Sequence, residues 1–196
     1  MMDIYTYFAD HLPQDSIESI RPYMHKQLLD KDDFFLREGQ YCQKIGFVEK
    51  GSFVFYNYID GEKKVCNLAL EGSWITHYES LTQNSPATEA IQALEPSQVH
   101  YFEVSGLKHC EDELPELKEF RLQLVGAYYS QTIRRASSLA NLGAEERYLN
   151  LLNEQPELFQ RVPLYLIASY LGIKPQSLSR IRKAYQQKKN SPKITS

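Results

Sequence analysis

The central part of the chain alternates between apolar and polar side chains. Residues 45–70 are dense in Phe, Tyr, Val and Ile, and Asp60-Gly61 lies at the centre of this run. An Asp-Gly pair between two alternating runs predicts a β-hairpin, because a type I′ turn needs positive φ at both central residues. Residues 97–105 form another β-rich run. We therefore expect residues 30–105 to form several short antiparallel strands in a barrel or jelly roll.

Helical spacing replaces this alternation on both sides of the strands. Residues 15–29 read as a short helix or two, and residues 142–156 as a helix opened by Gly143 and closed near Pro156. Residues 114–140 predict a longer helix with two stripes at helical spacing. The first stripe holds Leu117, Phe120, Leu124, Tyr128, Gln131 and Arg135, and the second holds Leu122, Val125, Tyr129, Thr132, Ala136 and Leu139.

The two stripes give this long helix two faces that can be buried. One face can pack on the predicted roll, and the other can meet the same helix of a second subunit across a two-fold axis. The alternative is that both faces pack within one chain. We favour a homodimer, because the helix is longer than one small barrel can cover. Without deciding which face meets the partner, we assign to the dimerisation helix Leu117, Phe120, Leu124, Tyr128 and Gln131.

Residues 163–187 follow the layout of a helix-turn-helix. A first helix, 164–171, ends at Gly172, whose missing Cβ suits a left-handed C-cap. Pro175 then begins a second helix, since its φ is already helical and its lack of an N–H is harmless at the first position. This segment is an α-helical hairpin whose turn is specified by two residues.

The predicted second helix has an apolar face and a polar, basic face. The apolar face carries Leu178, Ile181 and Tyr185. The polar face carries Gln176, Arg180, Lys183 and Gln187, with Ser177 and Ser179 beside it and Lys174, Arg182, Lys188 and Lys189 near its ends. Arg can bond guanine and Gln can bond adenine in the major groove, whereas Lys and Ser suit phosphates. The alternative is an ordinary amphipathic hairpin with a basic exterior.

The charge distribution favours the DNA interpretation. Residues 160–196 hold eight Lys and Arg and no Asp or Glu, whereas the first 159 residues hold 14 basic and 25 acidic side chains. The net charge of −3 hides this separation. A compact basic end on an acidic body indicates that only this end faces a polyanion, with double-stranded DNA as the first candidate. A solvated basic tail is the other interpretation of the charge alone.

Other sites and locations are less well supported by the sequence. The three cysteines, Cys42, Cys66 and Cys110, form no C-x-x-C pair, so we predict reduced thiols and neither disulfides nor a zinc site. The five histidines form no H-x-H pair, and no nucleophile elbow, Walker loop or Rossmann fingerprint occurs. We therefore expect no enzyme, no metal and no cofactor. The chain shows no signal-peptide pattern and no membrane-spanning run, so we expect a cytoplasmic protein without membrane contact.

Two segments of the chain follow patterns of a known family. Residues 36–75 contain spaced glycines and strands, and residues 167–183 contain the predicted helix-turn-helix. In both segments the sequence resembles the Crp/Fnr family of bacterial transcription regulators. The resemblance implies an α+β fold in three parts: a cyclic-nucleotide-binding-like jelly roll (1–112), a dimerisation helix (113–140) and an all-α helix-turn-helix domain (141–196). Only seven residues separate Pro156 from Leu164, so a wing hairpin should be short or absent.

The same resemblance implies function. It implies a homodimer that binds an inverted-repeat operator and works with RNA polymerase, and it leaves open whether a small-molecule effector exists. Gln176 and Arg180 fall on the family's base-reading positions, with Lys183 close by. A ligand-binding or protein-binding regulatory module that does not read DNA is the alternative. The effector, the target genes and the sign of regulation are not indicated.

The chain departs from the cyclic-AMP-binding members at the ligand. Thr76 and His77 stand where those members carry Gly-Glu, and Ala87-Thr88 stands where they carry Arg and then Ser or Thr. A phosphate that is buried without a cation beside it loses its hydration and gains no charged hydrogen bond in return. We therefore predict no response to cyclic AMP. His77 is also a conceivable haem ligand, although a lone histidine in a loop is more often a capping residue. For an unidentified effector, the candidate ligand-binding residues are Trp74, His77, Tyr78 and Thr88.

Overall fold

The computed structural model describes residues 3–190, with side chains as far as Lys188. The chain divides into two compact units, Met1–Thr132 and Ile133–Ser196. The side chain of Lys189 and the polar end at 191–196 lie outside the described residues. Among those that are described, no helix combines the length and the apolar character needed to cross a bilayer.

The first unit consists of short helices around eight strands. Its first elements are α1 (Ile4–Ala9), α2 (Gln14–Ile20), a 3-10 turn (Arg21–Tyr23), β1 (Met24–Leu29), β2 (Phe34–Leu36), β3 (Lys44–Lys50), β4 (Phe53–Ile59) and β5 (Glu62–Ala69). They are followed by β6 (Trp74–Ile75), α3 (Tyr78–Gln83), β7 (Ala90–Ala93), β8 (Ser97–Glu103), α4 (Val104–Glu113) and the start of α5 (Pro115–Asn141).

The strands form two four-stranded antiparallel sheets, in the orders β1-β8-β3-β6 and β2-β7-β4-β5. This architecture confirms the predicted α+β class and its antiparallel roll. The hairpin prediction is also confirmed: β4 and β5 meet at Asp60 (φ 52°) and Gly61 (φ 76°), both left-handed.

The helical prediction for the last part of residues 15–29 was wrong. Pro22 lies in the 3-10 turn that ends α2, and the next residues form β1. This strand pairs along its whole length with β8, from Met24 opposite Phe102 to Leu29 opposite Ser97. A long-range strand partner decided the conformation here, against a local pattern that favoured helix.

The sheet that contains β3 and β8 has a core on each face. Val48 and Val99 point inward to the roll, whereas the neighbouring Phe47 and Phe102 pack on the helices outside. Successive residues of a strand point to opposite faces, so this alternation follows from the pleat. The outer core includes Leu117 and Phe120, both almost fully buried, so it holds the first turns of α5 against the roll.

The second unit is helical throughout its described residues. It contains the end of α5, then α6 (Ala144–Glu154), α7 (Leu158–Arg161), α8 (Leu164–Tyr170) and α9 (Pro175–Asn190). Gly143 precedes the first residue of α6 in extended conformation, as the sequence predicts. Four fully buried side chains form the centre of this unit: Leu158, Leu166, Ile167 and Leu178.

Candidate functional site

The turn between α8 and α9 is fixed by its own backbone. Gly172 adopts φ +67°, its N–H donates to the carbonyl of Ser169 at 3.0 Å, and the N–H of Ile173 donates to the carbonyl of Ala168 at 3.0 Å. These two bonds form a Schellman motif, which satisfies carbonyls that the end of a helix leaves open. Pro175 begins α9 three residues later, so the sequence prediction for this turn is confirmed.

Two arginines support the same turn from other helices. Arg135 of α5 donates to the carbonyl of Tyr170 at 3.0 Å, and its guanidinium lies 4.3 Å from the centre of the Tyr170 ring. Arg147 of α6 donates from Nε to the carbonyl of Leu171 at 3.0 Å. Both contacts were missed by the sequence analysis. A signal existed for Arg135, which occupies a position of the first apolar stripe of α5.

The polar face of α9 is open to solvent. Gln176, Arg180 and Lys183 are exposed on it, and Leu178, one of the centre residues of the unit, is buried beneath. The guanidinium of Arg180 lies 3.4 Å from the half-buried hydroxyl of Ser177. Three neighbouring side chains therefore present amide, guanidinium and ammonium donors on one rigid helix.

The remaining predicted residues of this face differ in their contacts. Lys174 and Ser179 are exposed, and the hydroxyl of Ser179 donates to the carbonyl of Pro175 at 3.1 Å. The ammonium of Lys188 lies 3.0 Å from the Glu145 carboxylate of α6, and both side chains are exposed. Lys174 and Ser179 thus lie at the start of α9, and Lys188 near its end.

Arg182 points toward α6 instead of standing free on the face. It is half-buried and hydrogen-bonds the hydroxyl of Tyr148. Burial raises the pKa of that tyrosine, and the adjacent Arg182 guanidinium opposes the increase. The contact links α9 to α6.

In the first unit, His77 is an internal capping residue. Its Nδ1 accepts the N–H of Ser80 at 3.1 Å at the start of α3, and its Nε2 lies 3.1 Å from the Thr88 hydroxyl. The ring is buried, and so is Ala87 beside Thr88. Two of the four candidate ligand-binding residues therefore engage each other.

The other two candidates, Trp74 and Tyr78, line a cavity of about 360 Å³. This cavity is bounded by the roll, by α4 and by the first part of α5. His77 and Thr88 are not part of its wall. The structure thus separates the four residues into a hydrogen-bonded pair and a pair that faces a cavity.

The two stripes of α5 have different surroundings. Of the residues assigned to the dimerisation helix, Leu117 and Phe120 are buried in the outer core of their own unit, while Tyr128 and Gln131 are exposed. Because they are buried, Leu117 and Phe120 are not available to a partner subunit. Large apolar side chains on the other side of the helix stay exposed: Leu122 (56%), Tyr129 (64%) and Ile133 (51%).

Within residues 3–190, no group of three or more His, Cys, Asp or Glu side chains is arranged to hold a metal ion. The described free cysteines are Cys42, Cys66 and Cys110. Two of these thiols, Cys42 and Cys110, are buried, and burial raises the pKa of Cys110, so this thiol is poorly suited to act as a nucleophile or metal ligand.

Solved structures of bacterial regulators have a similar fold. The c-di-GMP-responsive global regulator CLP of Xanthomonas campestris matches with a TM-score of 0.69 at 18% identity, over 90% of this chain and 93% of that one. FixK2 of Bradyrhizobium japonicum matches with a TM-score of 0.71 at 15% identity, over 88% of this chain and 89% of that one.

A protein from Eubacterium rectale assigned to the crp/fnr family of transcriptional regulators matches with a TM-score of 0.70 at 13% identity, over 95% of this chain and 89% of that one. No protein-family model matches the sequence, and no curated protein matches it. At these identities the likeness shows the fold alone: the chain has the fold of the Crp/Fnr regulators.

Proposed function

We propose that this protein is a sequence-specific DNA-binding transcriptional regulator of the Crp/Fnr type. In this proposal α8 and α9 form a helix-turn-helix, and α9 enters the major groove. The observation that carries the proposal is the exposed face of Gln176, Arg180 and Lys183 on a helix whose other side is anchored by buried Leu178. The charge separation along the chain supports it, because the basic residues gather at this end of the sequence.

The side chains of this face have different roles in the proposal. Arg180 and Gln176 read base edges, since a guanidinium and an amide can each form two hydrogen bonds with one purine. Lys174, Lys183 and the serines contact phosphates, which position the helix without reading sequence. On DNA, Lys188 leaves Glu145 and binds a phosphate instead. Breaking this ion pair costs little, because an exposed ion pair contributes only about 0–1 kcal/mol. Arg182 acts mainly by holding α9 on α6.

The proposal includes a homodimer through α5. An exposed stripe of Leu122, Tyr129 and Ile133 is favourable for a second copy of the helix, because association buries large apolar side chains that one chain leaves in water. A two-fold dimer places two recognition helices about 34 Å apart, so the operator should be an inverted repeat. By the family resemblance, RNA polymerase is the expected partner at the promoter.

The proposal excludes cyclic AMP as the effector. His77 already engages Ser80 and Thr88, and buried Ala87 offers a methyl group where the resemblance requires a guanidinium. No Lys or Arg occurs between Gly72 and Leu94. A phosphate there would lose its hydration without gaining a charged donor.

A mobility-shift assay on genomic fragments tests the proposed function. We expect the wild-type protein to retain particular fragments. Arg180→Ala should lose about 1–3 kcal/mol on these fragments and little on random DNA, whereas Lys188→Ala should weaken both alike and lower the salt slope by about one. Lys118→Ala, which removes one exposed positive charge from the first unit, is the control and should change neither.

Three results would contradict parts of this proposal. If Arg180→Ala lost the same affinity for operator and random DNA, the assignment of Arg180 as a base-reading residue would be wrong. A loss in the Lys118→Ala control equal to that of Arg180→Ala would mean that net charge alone governs binding. No retention of any fragment would favour the regulatory module that does not read DNA.

A further inference from the structure

The cavity between the roll, α4 and α5 has an almost wholly apolar wall. Its lining includes Phe55, Trp74, Phe102, Leu107 and Leu124, contributed by strands and helices of the first unit. A volume of about 360 Å³ falls within the size range of small-molecule pockets. Displacing water from such a wall favours a ligand with an apolar body.

Three charged side chains also belong to the lining: Lys108, Glu111 and Arg121. Glu111 of α4 and Arg121 of α5 form an ion pair, and each is largely buried. Lys108 lies one turn before Glu111 on α4 and is exposed. No ion pair or hydrogen bond of Lys108 occurs among residues 3–190, so the lining carries one uncompensated positive charge.

From these observations we propose that the cavity binds an amphipathic monocarboxylic acid. The apolar body fills the space against Trp74 and Leu124, and the carboxylate stays at the mouth near Lys108. A single negative charge balances the single uncompensated positive charge. A dianionic or strongly polar ligand fits poorly, because the apolar wall would remove its hydration and return few hydrogen bonds.

The site borders two other features of the first unit. Of the residues at the positions of the cyclic-nucleotide site, the wall includes Thr76 but not His77, Ala87 or Thr88. On α5, the wall uses Leu124 and Val125, and Val125 belongs to the same predicted stripe as the exposed Leu122 and Tyr129. The ligand site and the proposed pairing face of α5 therefore meet at Val125.

Trp74 makes the proposal directly measurable. It is the only tryptophan of the chain and lines the cavity, so its fluorescence reports on the ligand. The full-length protein is titrated with decanoate below its micellar concentration, and with decan-1-ol as the uncharged probe. Calorimetry is run in parallel. We expect saturable decanoate binding at one site per chain. Decan-1-ol should bind about fivefold more weakly, because it lacks the carboxylate that interacts with the exposed Lys108.

Matched variants locate the site. Lys108→Glu should weaken decanoate about fivefold and leave decan-1-ol unchanged. Lys118→Glu makes the same charge change on an exposed residue outside the wall and should alter neither. Val125→Phe, which adds volume at the wall, should weaken both probes more than tenfold.

The proposal is overturned by the absence of both a saturable fluorescence change and binding heat with decanoate. Equal affinity for decanoate and decan-1-ol would contradict the proposed role of the carboxylate. Equal effects of Lys108→Glu and Lys118→Glu on decanoate affinity would contradict the placement of the carboxylate near Lys108. The assay contains no DNA, so its failure and the failure of the proposed regulatory function are separate results.

Discussion

At the scale of single residues, His77 shows how a binding position can become a structural one. Both ring nitrogens contact the protein, one at the Ser80 N–H and one at the Thr88 hydroxyl. Nδ1 accepts the Ser80 N–H, and Nε2 lies 3.1 Å from the Thr88 hydroxyl and accepts the Thr88 N–H at 3.4 Å. The side chain thus begins α3 and joins it to the segment before β7.

Replacing His77 tests this capping role. We expect His77→Ala to lower the free energy of unfolding by about 1 kcal/mol or more, because α3 loses its N-cap acceptor. His77→Asn should lose less, since Asn is a good N-cap, and Thr88→Val removes only the second contact. Urea unfolding followed by Trp74 fluorescence measures the three. Equal stability of His77→Ala and wild type would contradict the role.

Cyclic AMP should not bind. A charged hydrogen bond to phosphate contributes about 1.5–3 kcal/mol, so replacing an arginine by Ala87 removes orders of magnitude in affinity. Calorimetric titration at micromolar cyclic AMP should show no binding, and DNA binding should not require it. Micromolar affinity, or dependence of the mobility shift on cyclic AMP, would mean that the phosphate finds a cation elsewhere.

At the scale of elements, the junction between α8 and α9 depends on Gly172. Its φ of +67° is unfavourable for a side chain, and a Cβ there would lie 3.1 Å from Cδ2 of Leu139. The turn also determines where α9 begins, and hence how its polar face is presented.

Gly172→Ala should destabilise the second unit by about 1–2 kcal/mol, the cost of a left-handed L-residue. Gly172→Asn is the matched control, because it adds the same Cβ but tolerates this φ better. Thermal unfolding should therefore rank wild type, Asn and Ala in that order. Equal values for Asn and Ala would place the cost in the contact with Leu139 instead of the backbone.

The exposed stripe of α5 predicts assembly. Light scattering at micromolar concentration should give twice the mass of one chain. The double substitution Tyr129→Glu with Ile133→Glu should give monomers, because it introduces two charges into the apolar contact. Gln123→Glu, an exposed change on the same helix outside the stripe, should leave the dimer intact. A wild-type monomer would exclude this assembly.

At the scale of the whole molecule, the chain is acidic overall, but residues 160–196 carry eight Lys and Arg and no Asp or Glu. If the protein binds DNA as proposed, this distribution favours contact through the basic end. With two-fold symmetry, each dimer should protect two half-sites whose centres lie about one helical turn, or about 34 Å, apart. Footprinting on a retained fragment measures this spacing. Protection of a single unrepeated half-site would contradict the symmetric arrangement.

The sequence by itself determined the features that depend on neighbouring residues. Asp60-Gly61 specifies a turn because both positions must adopt positive φ, and Gly172 with Pro175 specifies another. The polar face of α9 follows from helical spacing alone, since the positions of its side chains depend only on 100° per residue. Local backbone preferences are strong enough at these places to be read without knowledge of the fold.

Tertiary structure decided what depends on residues far apart in the chain. Met24–Leu29 became a strand because β8 was available to pair with it. Packing on the roll decided which residues of α5 are buried: Leu117 and Phe120 lie in the outer core, whereas Tyr128 of the same stripe stays exposed. Likewise, the Tyr148 contact of Arg182 and the wall of the cavity arise from elements that meet only in the folded chain. Such contacts are set by burial and long-range pairing, which leave no periodic signal in the sequence.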